Sequence, residues 1–223
     1  FTAGYHHQDE VTKQSKRPVA RRVFVAKMYE SHEHPMPIEA SDYRLLDSTP
    51  IFDHPWVRIV RDTLEYKGRQ RPYFYLESPV EAVATVGLTD RAEVVLTRQY
   101  RHPVGRVIFD LPAGRLEPGE EPLAGARREF EEETGFRPRR VEPLGYYNQF
   151  PGTLRAATNL FFASDLERTA QRLDEGEELE IVFKSVPEVL DMIQEGRVID
   201  GSLQLGVLLA LQRGWLPGSA RGH

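Results

Sequence analysis

The sequence predicts an α+β, sandwich-like fold preceded by a small antiparallel sheet. Three observations predict it. Strand-like alternation rich in Val, Thr and aromatic residues fills the stretch from about Tyr43 to Arg101. Helical periodicity comes in three separate segments later in the chain. The two kinds of element interleave without the βαβα regularity of a doubly wound sheet. With 223 residues the chain is long enough to bury a sizeable core.

Residues 1–40 read as an irregular, polar amino-terminal segment carrying "GYHHQDE" and "ESHEHPMP". His6, His7, His32 and His34 there read as incidental surface histidines rather than as a metal site. From Tyr43, "YRLLD", "VRIVRDTLEY" and, after the turn "KGRQ", "RPYFYLES" alternate as strands, so residues 41–78 form a small antiparallel sheet. Tyr73, Phe74 and Tyr75 alternate in facing, so at least one points to the core and one away. Packing is the ordinary use of such aromatics, Trp56 and Trp215 included.

The main domain is placed at residues 79–215, with a tail at 216–223. Its first two strands, "EAVATVGLTD" and "AEVVLTRQYR", flank the turn "TDRA" and read as a hairpin. After "VIFDLPAGRLE" a helix is expected from Pro122 to Thr134, with the proline in its first turn and Gly135 just past its end. "LGYYNQF", "TNLFFASDL" and "LEIVFKS" follow as strands. The segments "VPEVLDMIQEG" and "LQLGVLLALQ" close the chain as helices.

A net charge of -5 and a pI near 5.9 leave no electrostatic footprint for a nucleic-acid backbone. No apolar run approaches the roughly 20 residues of a membrane span, and the amino end lacks the apolar core of a signal peptide. The expected setting is the cytoplasm, with neither membrane nor nucleic acid as partner. With no cysteine in the chain, any metal must be held by oxygen or imidazole.

The stretch "GRLEPGEEPLAGARREFEEETGF" holds seven glutamates among twenty-three residues. Turned at about 100° per residue, Leu123, Ala126, Arg127, Phe130 and Thr134 form a largely apolar stripe. Glu129, Glu132 and Glu133 fall on one contiguous acidic face, Glu133 bordering the stripe and Glu132 pointing furthest out. Like charges three and four residues apart repel, and one Arg128 cannot neutralise three carboxylates. An acidic helix face is ordinarily just solvated. The alternative is a hard divalent cation, Mg²⁺ or Mn²⁺, which prefers oxygen ligands and bridges to phosphates.

The spacing separates these readings. Gly114, five residues, Glu120, seven residues, then Arg128-Glu129-Phe130-x-Glu132-Glu133-x-Gly135-Phe136 resembles the box of the Nudix hydrolases at every fixed position. On average residue usage a chance match is rarer than about one in a million.

The resemblance implies an α/β/α sandwich built around a mixed sheet, and hydrolysis of a nucleoside diphosphate linked to another group X with Mg²⁺ or a similar ion. Glu129, Glu132 and Glu133 then correspond to metal-binding glutamates, the backbone oxygen of Ala113 to a further ligand, and Arg128 to the residue that fixes the carboxylates. Gly114 and Gly135 correspond to glycines that let the chain bend tightly. The likeness runs from about Tyr43 to Leu211. "VVLTRQYRHPVGRVIFDLPAGRLEPGE" and Pro151, fifteen residues beyond Phe136, resemble the ADP-ribose pyrophosphatases and their nucleotide-sugar-hydrolysing relatives. By that similarity Arg101, then Arg98, are candidates for a diphosphate contact. The amino-terminal sheet is expected to exchange between subunits of a homodimer.

One departure stands out. Where the subfamily carries an acidic pair after the proline, "PGTLRAATNLFFA" places Arg155 and Ala156. Glu177 or Glu178 in "DEGEELE", Glu120 or a box glutamate are then candidates for the base, and Arg155 for a phosphate contact. The expected activity is cleavage of ADP-ribose or a related nucleoside diphosphate sugar. Alternatives are a pyrophosphatase for dinucleoside polyphosphates, NADH or CoA, and a non-catalytic nucleotide sensor, which would not need the full set of carboxylates retained here.

Overall fold

The computed structural model describes residues 40–174 and 176–218. The four amino-terminal histidines, nearly all of segment 1–40 and residues 219–223 lie outside the described residues. Ala40–Asp42 form a 3-10 turn.

Strands β1 (Tyr43–His54), β2 (Val57–Tyr66) and β3 (Arg69–Glu77) pair antiparallel in sequence. The two-residue turn Lys67-Gly68 joins β2 to β3, both residues at positive φ, as a tight hairpin requires. "RPYFYLES" alternates as its pattern implies: Tyr75 is buried and Phe74 is half exposed. β1 runs further than "YRLLD" suggests, through Pro50, which is tolerated because β1 lies at the edge of its sheet. A short strand β9 (Leu154–Arg155) adds to β3 in parallel and completes the order β1-β2-β3-β9.

The larger sheet contains β4 (Ala82–Leu88), β5 (Glu93–Arg101), β8 (Phe136–Asn148), β10 (Ala157–Arg168) and β11 (Leu179–Ser185) in the order β11-β5-β4-β10-β8. The short strands β6 (Arg106–Asp110) and β7 (Ala113–Arg115) pair with β5 and β4. β10 and β4 are parallel and the other pairs antiparallel, so the sheet is mixed.

Helix α1 (Pro122–Thr134) packs Ala126 and Phe130 on Val83, Val95, Val141, Phe161 and Ala163. The opposite face, through Val86, Val94, Leu96, Leu160 and Phe162, carries α2 (Val186–Gln194) and α3 (Gly201–Gln212). Alternate residues of one strand serve opposite layers, which makes an α/β/α sandwich. Trp215 belongs to the second cluster, 5.2 Å from Phe162.

α1 spans the residues its sequence signals mark, but its buried stripe is shifted from the expected one. Leu123 is 42% exposed, while Gly125 and Glu133 are buried. The Leu116 side chain lies where a Cβ on Gly125 would be, so the first turn packs through its backbone instead of through Leu123.

Candidate metal and active site

β7 runs back alongside α1, with Ala113 at Glu133, Gly114 at Glu129 and the Arg115 carbonyl at Arg128, and this brings the box residues together. Arg128 makes five hydrogen bonds: two to Glu120 (2.9 and 2.9 Å), one each to Glu129 (2.8 Å) and Glu132 (3.2 Å), and one to the Arg115 carbonyl (3.0 Å). This use of the whole planar fork holds the guanidinium well above its ordinary pKa, chiefly through Glu120. Glu120 is held below the usual carboxylate range by the same contact.

Glu133 lies beyond that network. Its carboxylate is 5% exposed and accepts the Ala113 N–H at 2.7 Å. Burial pushes its pKa up to about 8, against the Ala113 hydrogen bond and with the charges of Glu129 and Glu177 adding to the rise. Burial also raises Glu129, with Arg128 opposing. Exposure therefore increases from Glu133 to Glu129 to Glu132, whose side chains are ordered as the helical wheel implies.

The donors suit a hard divalent cation. They are carboxylate oxygens on one helix end, and one of them is a buried carboxylate whose hydrogen-bond partner among the described residues is an amide N–H, with a second carboxylate near it. Among the described residues no three carboxylate or imidazole groups converge on one point. Arg128 draws Glu129 and Glu132 to itself, and the Ala113 amide draws Glu133. Glu129, Glu132, Glu133 and the Ala113 backbone are the groups that could hold the ion.

Gly114 sits in extended β7 and does not serve as a bend. Its role is space, since the Glu129 carboxylate fills the place of its missing Cβ. Gly135 does take the left-handed conformation, at φ 69°.

The two arginine candidates part company. Arg101 shares its facing on β5 with Val95, which packs on α1, whereas Arg98 shares that of Val94 and Leu96 on the other layer. Arg101 Nε and Nη2 both donate to one oxygen of buried Asp110, at 2.8 and 2.6 Å, and its charge reaches Glu133. Arg98 pairs with Glu180 on β11 at 2.9 Å. Arg155 pairs with Glu77 at 2.9 Å and stacks on the Tyr75 ring, bordering a cleft of about 200 Å³ with Asn148, Pro151 and Leu154.

Glu177 lies on the loop that docks on the end of α1, and its charge is felt at both Glu129 and Glu133. Glu178, next to it, is exposed. Three residues of this region carry no motif and were invisible in the sequence: Asp110, Gln171 and Arg115. Arg115 donates to the Trp56 carbonyl at 2.8 Å and stacks on its ring, so the β1–β2 turn meets the box loop.

A family model described as the NUDIX domain matches residues 78–200. A methanol dehydrogenase activator of Bacillus methanolicus is 31% identical over 166 residues, spanning 74% of this chain and 90% of that protein. An ADP-ribose pyrophosphatase of Bacillus subtilis is 33% identical over 121 residues, spanning 53% of this chain and 65% of the relative. A solved structure of an ADP compounds hydrolase superposes with a TM-score of 0.71 at 23% identity, covering 81% of this chain and 97% of that one. At that identity the superposition establishes the fold.

Proposed function

The chain belongs to the Nudix hydrolase family, among relatives of ADP-ribose pyrophosphatases, and on that premise we propose that it cleaves the diphosphate linkage of ADP-ribose or a related nucleoside diphosphate sugar with Mg²⁺. The products are a nucleoside monophosphate and a sugar phosphate. The observation that carries this reading is the acidic end of α1, where the Glu133 carboxylate is buried beside Glu129 with the Ala113 N–H as its hydrogen-bond partner among the described residues, while Arg128 already serves three other carboxylates.

Glu129, Glu132, Glu133 and the Ala113 carbonyl would hold the ion. When bound, it neutralises diphosphate oxygens and makes the attacking water more acidic; Mn²⁺ would serve in the same way. Arg128 keeps Glu129 and Glu132 at one end of the helix. Arg101, pinned through two of its N–H groups by Asp110, presents the rest of its guanidinium to the diphosphate. The water oxygen bonds to one phosphorus as the bridging P–O bond breaks, and a carboxylate takes the water proton.

Glu177 is the favoured acceptor. Glu120 is tied to Arg128 and to the Glu117 amide, which makes it a weak base, whereas Glu177 lies within charge range of Glu129 and Glu133.

The proposed assembly is a homodimer, supported by Leu45, Ile51, Phe52, Phe74 and Leu76, large apolar side chains that the amino-terminal sheet leaves exposed. The proposed setting is the cytoplasm. No helix among the described residues is long and apolar enough to cross a membrane.

The test is phosphate release, coupled to a phosphatase, from ADP-ribose, ADP-glucose, GDP-mannose, NADH, diadenosine polyphosphates and CoA, with Mg²⁺ and with chelator. Metal-dependent cleavage greatest on a diphosphosugar supports the proposal, and a peak on another member moves the substrate class. The extent of the match to the methanol dehydrogenase activator favours a second reading, in which the chain regulates a dehydrogenase. Silence across the panel together with stimulation of a purified alcohol dehydrogenase would select it.

A further inference from the structure

The last carbonyls of a helix have no partner inside it. At the end of α1 a single segment supplies them with donors. The Arg172 N–H donates to the Glu132 carbonyl at 2.8 Å, the Gln171 side-chain amide to the Glu133 carbonyl at 2.7 Å, and the Thr169 N–H to the Gly135 carbonyl at 2.7 Å. The approach is close, since a Cβ on Gly135 would stand 2.9 Å from the Gln171 nitrogen. The box glycine therefore admits this segment as well as ending the helix.

Beyond Arg172 the chain turns through Gly176, at φ 87°. The Asp174 N–H donates to the Glu177 carboxylate at 3.2 Å, and the Glu177 N–H to the Asp174 carbonyl at 3.0 Å. The same loop thus grips the carbonyls of two box glutamates at one end and carries Glu177 at the other.

Two of the three anchoring bonds come from main-chain N–H groups and survive a change of side chain. The third does not. We propose that Gln171 is a positioning residue for the hydrolysis: by holding the Glu133 carbonyl it fixes the loop against α1 and so sets where Glu177 stands relative to the box carboxylates. Glutamine suits this task because its amide is a neutral donor, which satisfies the carbonyl without placing another cation beside a metal-binding cluster. The inference rests on the assignment of Glu177 as proton acceptor.

The test is a double-mutant cycle at saturating Mg²⁺, using the panel compound that is cleaved fastest. Gln171→Met keeps length and bulk and removes the donor. It is expected to lower kcat by roughly tenfold with KM within about twofold. Glu177→Gln should lower kcat further, and the double variant should be no slower than Glu177→Gln alone, because Gln171 acts through Glu177. A merely structural role would leave the Gln171→Met loss undiminished on the Glu177→Gln background. That additivity, or full activity of Gln171→Met beside an impaired Glu177→Gln, overturns this inference alone. Wild-type turnover in Glu177→Gln overturns the acceptor assignment, and this inference with it.

Discussion

The Glu129 carboxylate fills the place where a Cβ would stand on Gly114. The glycine that opens the box is therefore a space-maker for the acid near its end. Gly114→Ala must push that carboxylate aside, which a flexible side chain does at little cost to folding. The variant should melt within a few degrees of the wild type, a change of about 1 kcal/mol or less. Its turnover at fixed Mg²⁺ should fall by tenfold or more, on the order of the loss seen when groups that orient metal ligands are removed. Equal turnover would mean that the position of Glu129 does not matter.

Arg128 holds three carboxylates and a carbonyl with one planar group. A lysine has a compact charge and cannot reach them all. Arg128→Lys should lose about 1–3 kcal/mol in urea unfolding, since Glu120 and Glu129 are mostly buried and are left short of partners. A loss below about 0.5 kcal/mol would show that the network is as weak as an ordinary surface pair.

Glu133 predicts a pH dependence of the metal-free protein. Its folded pKa, about 8, lies above the unfolded value near 4.5, so the stability linked to its proton is present below pH 4.5 and is lost as pH rises towards 8. In chelator, the melting temperature of the wild type should fall more steeply over that window than that of Glu133→Gln. Parallel curves would mean that burial does not raise the Glu133 pKa in the folded protein.

Arg101 and Arg98 lie on opposite faces of β5. Arg101→Ala should lower kcat/KM about tenfold or more, as expected for losing a charged hydrogen bond, while Arg98→Ala should stay within about twofold. Equal losses would place the substrate elsewhere.

The sequence made the site more legible than the fold around it. The box fixes the span of α1 and the order of exposure of its glutamates through spacing alone. β6, β7 and β9 are too short to carry a periodic signal. β8 is legible only in its second half, within "LGYYNQF", because Pro138 and Pro143 break the strand pattern before it; they are tolerated because β8 is an edge strand. The docking of Gln171 on Glu133 and the pinning of Arg101 by Asp110 join residues 38 and 9 positions apart. Neither pair has a local pattern, because three-dimensional packing alone brings its members together.

The most direct test of Glu133 as a metal-binding catalytic carboxylate compares wild type and Glu133→Gln side by side in cleavage of ADP-ribose, at saturating Mg²⁺ and in chelator. Metal-dependent cleavage by the wild type is expected, with turnover roughly a hundredfold lower or more in a variant that remains folded. Wild-type turnover in the variant, or cleavage that survives the chelator, would contradict that role.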